Sequence, residues 1–376
     1  MRVKLEEVCK RIYAGGDVPK DRYSEEKTED YKVPIFANAE KDEGLYGYTD
    51  EAREKELSIT VAARGTIGYT VIRREPFLPV VRLITVVPDL EKVSERYLFY
   101  ALKMCKPQSS GTSIPQLTVP DIKKNTLNLL DIAEQESIAN RMDKLNEIIK
   151  LRTEVISKMD ELIRARFVEM FGDPVKNTKG WKVKRLGELS IQINSGNTPK
   201  GGSSVYVDEG IAFFRSQNVW KDHLEMEDIV YISNDTHASM KRSSLKNGDI
   251  LMTKTGRINT ENSSLGRAAL YVGEDDKANV NGHVYFIRLK PEVNNKFILR
   301  ILVSVEYRDL IRRVCVGGID KRQLNKEHIE NFPIICPPDS LIDKYIELVD
   351  HIDKSKVVSQ HTTSNPYIQN LNFAVK

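Results

Sequence analysis

The sequence predicts an α+β protein in which two tandem domains, each a twisted and mostly antiparallel sheet with flanking helices, are separated by long helices that form an antiparallel coiled coil. Two observations support this prediction. The stretch from Ile132 to Phe171 contains neither proline nor glycine and has the apolar spacing of a helix. The segments before and after it resemble each other, and each consists of short strand-like and helical pieces followed by a helix.

The central stretch has apolar residues in steps of three and four, the spacing of a helix that packs against another helix. At about 1.5 Å per residue this helix is ~60 Å long, more than a compact domain needs. Arg152 and Arg166 interrupt the apolar series, and Gly172 and Pro174 end the helix. An ordinary core helix is the alternative. The residues predicted to face a partner helix are Ile138, Met142, Leu145, Ile149, Ile156, Met159 and Ile163 here, and Leu341, Tyr345, Leu348 and Ile352 in a second, shorter helix that begins near Asp339.

The composition is that of a soluble globular protein with two or three domains: 376 residues, 40% of them hydrophobic and 30% charged. The formal net charge is only +3. Any surface that binds nucleic acid must therefore be a local patch of positive charge, because the chain as a whole is not basic.

The sequence predicts no catalytic residue, no cofactor and no metal site. Cys9, Cys105, Cys315 and Cys336 are far apart, and the six histidines lack the spacing of a metal-ligand pair. No Gly-x-x-x-x-Gly-Lys-Ser/Thr run is present to bind ATP. The N-terminus does not resemble a signal peptide, and no segment approaches ~18 continuous apolar residues. We therefore predict a cytoplasmic protein with reduced thiols and no membrane association.

Strand-like pieces rich in β-branched residues are separated by Gly, Pro and Asp in both similar segments. In the first segment we expect strands at Tyr31–Phe36, Leu57–Ala63, Ile67–Ile72 and Val80–Val87 and a helix at Glu95–Cys105. In the second we expect strands at Ile211–Arg215, Asp249–Thr253, Ala268–Val272 and His283–Leu289 and a helix at Lys296–Val314.

The two segments align as an internal repeat. The opening VKLEEVCKRIYAGGDVPK from Val3 aligns with VKRLGELSIQINSGNTPK from Val183 at an offset of 180 (199 − 19). Further on, Gln116 aligns with Gln323 at an offset of 207 (323 − 116), which continues to Asp143 and Asp350. We therefore expect a first domain at 1–131, a central helix at 132–172, a second domain at 173–337, a distal helix at 338–360 and a polar tail at 361–376.

Several of these segments resemble one known family. The run FGDPVKNTKGWKVKRLGEL at 171–189, the two openings, the segment GIAFFRSQNVW from Gly210 and the turns AARGTIGY and MTKTGR are similar to specificity subunits of type I restriction–modification systems. The resemblance covers nearly the whole chain and occurs twice. It implies a protein whose two target-recognition domains each read one half of a bipartite sequence in double-stranded DNA.

The same resemblance implies partners. Methyltransferase (modification) subunits would dock on the long helices and methylate adenine, and a restriction/translocase subunit would cleave DNA, so that the chain itself is not an enzyme. The first domain is short for the family, and the last helix is curtailed at Asn365-Pro366. A protein-binding scaffold with degenerate DNA recognition is therefore the alternative, and a stand-alone restriction or methylation enzyme is a third hypothesis.

The predicted DNA-binding residues are cations, hydroxyls and amides in loops, because these groups contact phosphates and base edges. The alternatives are turn caps, a plain hairpin turn and solvated lysines. In the second domain the candidates are Arg215, Gln217 and Asn218, then Lys254, Thr255 and Arg257, then Lys321, Arg322 and Gln323. In the first domain they are Arg64, Thr66, Ser110 and Thr112, and the repeated openings add Lys20 and Lys200.

Overall fold

A computed structural model of the chain describes residues 1–105, 116–260 and 262–361. Its internal contacts divide these residues into two units, one of residues 1–156 together with 357–361 and the other of residues 157–356.

The first unit contains a four-stranded sheet of order β2-β8-β5-β6, a three-stranded sheet of order β4-β3-β7 and the pair β1-β9. Their bounds are β1 Arg2–Lys4, β2 Cys9–Ala14, β3 Val33–Phe36, β4 Leu45–Thr49, β5 Ser58–Val61, β6 Thr70–Arg73, β7 Leu78–Pro79, β8 Ile84–Pro88 and β9 Thr126–Asn128. The helices are α1 Glu95–Lys103, α2 Val119–Lys124 and α3 Ile132–Phe171, which continues into the second unit.

The second unit contains two four-stranded sheets of order β11-β19-β15-β17 and β12-β14-β13-β18, a three-stranded sheet of order β16-β21-β20 and the pair β10-β22. Its strands are β10 Lys182–Arg185, β11 Ser190–Ser195, β12 Tyr206–Val207, β13 Ile211–Phe214, β14 Val230–Ile232, β15 Ile250–Thr253, β16 Thr255–Arg257, β17 Ala268–Leu270, β18 Ala278–Val280, β19 Val284–Leu289, β20 Val316–Gly317, β21 Lys321–Gln323 and β22 Pro333–Cys336. Its helices are α4 Leu186–Leu189, α5 Asn234–Ser239, α6 Asn295–Leu302, α7 Val305–Val314, α8 Lys326–Glu330 and α9 Asp339–His361.

The sheets confirm the predicted duplication. The order β11-β19-β15-β17 corresponds strand for strand to β2-β8-β5-β6, and the pair β10-β22 corresponds to β1-β9. Among the strands of the described residues, only β3·β7 and β13·β18 pair in parallel, one pair in each unit, so the sheets are mostly antiparallel as predicted. The sheet β16-β21-β20 is found in the described part of the second unit alone.

The backbone corrects the register of the repeat. The amide of Lys4 donates to Glu7, and the amide of Arg185 donates to Glu188 in the same way, which gives an offset of 181 (188 − 7). The predicted offset of 180 aligned Pro19 with Pro199. Before that proline, the structural alignment of the two openings therefore differs by one residue from the alignment predicted by sequence identity. The matching hydrogen bonds show which residues are structurally equivalent.

Alternation along the strands places the second sheet between two cores. Ile250, Met252 and Ile287 face a core that also contains residues of α3, α6 and α9. Leu251 and Phe286, one step along the same strands, face a core shared with β13 and β18. Helices thus cover one face of this sheet, and a second sheet covers the other.

Two local predictions were wrong. The expected strand Val80–Val87 begins only at Ile84, because Val81 and Arg82 adopt left-handed backbone conformations with φ of 51° and 62°. The expected helix Lys296–Val314 is two helices, α6 and α7. The Ser304 hydroxyl accepts a hydrogen bond from the Tyr307 amide and caps α7, as serine commonly does at a helix start.

The long helix α3 begins and ends at the predicted residues, but its apolar face is only partly a helix–helix seam. Ile138 and Met142 are buried in the core of the first unit, beside residues of α1, so the prediction that they face a partner helix is corrected. Ile163 is buried in the core of the second unit with residues of α9. The remaining predicted positions on α3, Leu145, Ile149, Ile156 and Met159, are half-buried.

In the second unit α9 packs antiparallel to the end of α3. The Tyr345 hydroxyl donates to the Ile163 carbonyl, and Lys356, further along α9, lies 2.6 Å from Asp160, earlier on α3. Of the four predicted positions on α9, Tyr345 and Ile352 are buried, and the other two are each one residue before a buried position, because α9 also packs on its own domain. Leu341 and Leu348 are half-buried, whereas the buried residues are Ile342, Tyr345, Ile346, Val349 and Ile352.

In each unit, ion pairs join a helix of the domain to the long helix that follows the domain. In the first unit Arg96 of α1 lies 2.7 Å from Asp143 of α3. In the second unit Lys296 of α6 lies 2.5 Å from Asp350 of α9, and Arg300 lies 3.1 Å from Asp353. Asp143 and Asp350 are the residues that the repeat aligned, and both have the same structural role.

Candidate nucleic-acid interface

Two candidate loops of the second unit, separated by more than 60 residues in the sequence, are neighbours in the structure. Strands β16 and β21 pair antiparallel, with Thr255 opposite Gln323, Gly256 opposite Arg322, and Arg257 opposite Lys321. No local pattern in the sequence indicates this pairing. It concentrates the cations of both loops on one small sheet.

An open cleft lies beside this sheet, and a third candidate loop reaches it through Ser216. Hydroxyls, an amide and cations line the cleft, which are the groups that bind phosphates and polar base edges. The lining residues are Ser216, Thr255, Gly256, Arg257, Thr260, Asn262, Ser263, Ser264, Arg267 and Lys321.

Gly256 allows strand β16 to pack closely against the loop 262–265. A Cβ atom at this position would lie 2.3 Å from the Leu265 amide nitrogen and 2.9 Å from the Ser263 hydroxyl. The loop 262–265 therefore occupies the space that a side chain at this position would need.

Arg267 organises that loop, and sequence reasoning missed it. Its side chain is 9% exposed, its Nε donates to the Ser263 carbonyl at 3.0 Å, and its guanidinium carbon lies 3.9 Å from the centre of the Trp220 ring. Burial lowers the pKa of Arg267 below its usual value. Trp220 is 37% exposed, so the arginine supports an accessible aromatic surface next to the cleft.

The candidates around β13 have different environments. Asn218 is fully buried: its Oδ1 accepts from the Arg215 amide at 2.9 Å, and its Nδ2 donates to the Glu225 carbonyl at 3.1 Å. Both ends of the amide have partners within the chain, which favours the turn cap over a DNA contact for Asn218. Arg215 is partly buried with its charge 3.8 Å from Asp228, whereas Gln217 is exposed and also bonds to Asp228.

The cations on β16 and β21 differ in availability. Arg257 is exposed and forms an ion pair with Asp320 at 3.1 Å, while Lys321 beside it is also exposed. Arg322 bonds its own hairpin through the Gly318 carbonyl at 3.3 Å. Lys254 is half-buried above the Tyr285 ring. Thr255 is half-buried and Gln323 is exposed.

The first unit has the equivalent loop pair. The Leu117 amide donates to the Ala63 carbonyl at 2.9 Å, and the Leu324 amide donates to the Lys254 carbonyl at the same distance. Arg64, the next residue along, donates to the Gln116 side chain at 2.8 Å.

Other candidates of the openings and of the first unit are solvent-accessible or undescribed. Arg64, Thr66, Lys20 and Lys200 are exposed. Ser110 and Thr112 lie outside the described residues.

Within residues 1–105, 116–260 and 262–361, no cluster of His, Cys, Asp and Glu side chains has the arrangement of a metal site. None of the helices described there is both long and apolar enough to cross a membrane.

These features define a class of protein: a chain with two copies of an α+β domain followed by a helix, with equivalent polar loop pairs in the two copies. A family model for the type I restriction modification DNA specificity domain matches residues 1–160 and 178–356. The chain belongs to this family, whose members are non-catalytic specificity subunits, and the resemblance seen in the sequence is confirmed.

Individual proteins that are similar in sequence are also type I specificity subunits. The chain is 24% identical over 385 residues to the type I restriction enzyme MjaIX specificity subunit of Methanocaldococcus jannaschii, covering 93% of this chain and 83% of that protein. It is 40% identical over 142 residues to the putative type I specificity subunit S.MpnORF89P of Mycoplasma pneumoniae, covering 38% of this chain and 42% of that relative. The aligned region thus spans less than half of the Mycoplasma protein.

Solved structures show the same fold. The S subunit of a type I restriction–modification system from M. genitalium matches with a TM-score of 0.54 and 14% identity, covering 99% of this chain and 94% of that one. A chain from a study of complex assembly and conformational transition of the type I system matches with a TM-score of 0.56 and 16% identity, covering 99% and 95%.

Proposed function

We propose that this chain recognises a bipartite sequence in double-stranded DNA, with one half-site read by each unit through its loop pair. The observation that carries the proposal is the repeated placement of those loops. The backbone bond from Leu117 to Ala63 in one unit and from Leu324 to Lys254 in the other puts equivalent polar segments side by side twice.

The second unit supplies the groups that such binding needs. Arg257 and Lys321 are exposed cations that can neutralise phosphates, and the hydroxyls of Ser216 and Thr260 lie in the same cleft. Gln217 is exposed and has the amide that pairs with adenine in the major groove. Asp228 and Asp320 partly neutralise the cations, so binding by this chain without partners is weak and strongly salt-dependent.

Catalysis belongs to partners in this proposal. A methyltransferase subunit docks on the long helix and methylates adenine, and a restriction/translocase subunit joins the same complex to cleave DNA. On the part of α3 in the first unit, Ile148, Leu151 and Val155 are 43%, 52% and 44% exposed and follow one another in steps of three and four. They form a single apolar helix face, which is suited to a protein partner.

The experiment measures DNA binding by the chain in complex with its methyltransferase partner. Arg257→Ala and Arg64→Ala are compared with Lys290→Ala, a control at an exposed position at the far end of β19 from the cleft. We expect both arginine variants to weaken binding to the recognised duplex and the control to leave it unchanged. Equal binding by all three would remove the loop pairs from the interface.

A second candidate is a protein-binding scaffold whose DNA recognition has degenerated. Its support is that Arg257 and Arg215 already have carboxylate partners within the chain. Under this hypothesis a methyltransferase co-purifies with the chain, but the complex methylates DNA without sequence preference.

A further inference from the structure

The most exposed large apolar side chain among the described residues lies two positions before Lys321, which lines the cleft. Ile319, at the tip of the hairpin formed by β20 and β21, is 91% exposed. A scattered exposed apolar residue is ordinary. This one is followed within three residues by Lys321, which is paired with Arg257 across the strands, and by Arg322.

The chain holds the tip in place. The Ile258 amide donates to the Asp320 carbonyl at 3.1 Å, and the Asp320 carboxylate pairs with Arg257. Across the hairpin, Arg322 donates to the Gly318 carbonyl at 3.3 Å. Bonds on both sides of Ile319 thus fix the backbone, while its side chain contacts solvent. Such a braced apolar tip is suited to contact an external partner with little loss of entropy on binding.

The charge around the tip favours a polyanion as that partner. Arg257 and Lys321 are exposed on the paired strands, and both can neutralise phosphates that flank a groove. An apolar surface of a protein partner would need further exposed apolar residues around Ile319. Val316, at 43% exposure, is the one described neighbour on the hairpin of that kind.

The geometry points to a specificity contact: we propose that Ile319 packs against the 5-methyl group of a thymine in the major groove of the half-site read by the second unit. This inference rests on the proposed function. The major groove, which is ~12 Å wide, admits a two-stranded ribbon. The apolar group that a base edge presents in the major groove is the thymine methyl.

The test replaces each thymine of the recognised duplex in turn by deoxyuridine, which lacks only the 5-methyl group. Binding is measured for the complex of the chain with its methyltransferase partner. At one thymine of one half-site, we expect the substitution by deoxyuridine to lower the affinity of the unmodified chain about fourfold. This factor corresponds to the free energy of burying one methyl-sized group. Ile319→Ala should bind the thymine and deoxyuridine duplexes equally at that position.

Val316→Ala is the matched control, because it shortens an apolar side chain on the same hairpin; it should keep the response to deoxyuridine. If no position responds, or if Ile319→Ala responds as the unmodified chain does, the inference is overturned. A duplex with 2-aminopurine in the half-site tests for a side chain inserted between base steps, because unstacking raises its fluorescence when the complex binds. If Ile319→Ala abolishes such a rise, the inference is also overturned. Sequence-independent binding by the unmodified complex would refute the proposed function itself.

Discussion

The guanidinium carbon of Arg267 lies 3.9 Å from the centre of the Trp220 ring. The same guanidinium donates to the Ser263 carbonyl, so one buried cation joins an exposed aromatic to the loop that lines the cleft. Arginine suits this position because its planar fork stacks and donates in several directions at once, which a lysine ammonium cannot do.

We predict that Arg267→Ala destabilises the second unit by about 2–4 kcal/mol, because it removes a cation–π contact and leaves buried carbonyls without a donor. Arg267→Lys should recover only part of this loss. Hydrogen exchange of peptides covering 262–267 in the full chain measures the effect locally. Unchanged exchange in Arg267→Ala would mean that the loop does not depend on this residue.

A pair of substitutions at the hairpin tests whether its cation is a DNA contact. Arg257→Ala should weaken DNA binding and reduce the slope of log affinity against log salt by about one. Asp320→Asn releases Arg257 from its ion pair and should strengthen binding at low salt. Titrations at several salt concentrations measure both. Opposite effects support a phosphate contact, whereas weakening by both would show that the ion pair serves the shape of the hairpin.

Asn218 and Gln217 are adjacent, but we expect different consequences from their loss. Asn218→Ala removes a fully buried amide with two backbone partners and should cost about 1–3 kcal/mol of folding free energy. Gln217→Ala, at an exposed position, should change stability by under ~0.5 kcal/mol and act on DNA affinity instead. Denaturant unfolding and DNA binding of both variants separate the two roles. An Asn218→Ala variant of normal stability with altered sequence preference would show that this amide contacts DNA after all.

Acid should destabilise the first unit through Glu54. This carboxylate is fully buried and accepts from Arg11 at 2.6 Å, from Tyr13 at 3.0 Å and from two backbone amides. Burial raises its pKa, but the amide, Arg11 and Tyr13 bonds together outweigh burial and lower it. The stabilisation is therefore present above the unfolded pKa of about 4.3 and is lost as the pH falls through the folded pKa.

Calorimetry of the full chain between pH 7 and pH 3 tests this prediction. Glu54→Gln should lower the melting temperature of the first unit near neutral pH and flatten its dependence on acid. Glu91→Gln, a control at an exposed position, should leave both unchanged. If Glu54→Gln retained the full acid dependence, the carboxylate would not be its source.

The sequence could predict features that depend on local patterns. The bounds of α3 follow from an uninterrupted apolar period ended by Gly172, and the loop candidates follow from residue type next to strands. Features that depend on distant contacts were beyond it. The pairing of Arg257 with Lys321 and the contact of Arg267 with Trp220 arise only when segments far apart in the chain meet. Nothing in Val81 and Arg82 signalled their left-handed conformations.

The most direct test of the central proposal maps methylated adenines across a genome in which this chain and its methyltransferase partner are expressed. We predict a motif of two specified halves separated by a gap of fixed length, with Arg64→Ala relaxing one half and Arg257→Ala relaxing the other. A single undivided motif, or relaxation of the same half by both variants, would contradict the proposal that each unit reads its own half-site.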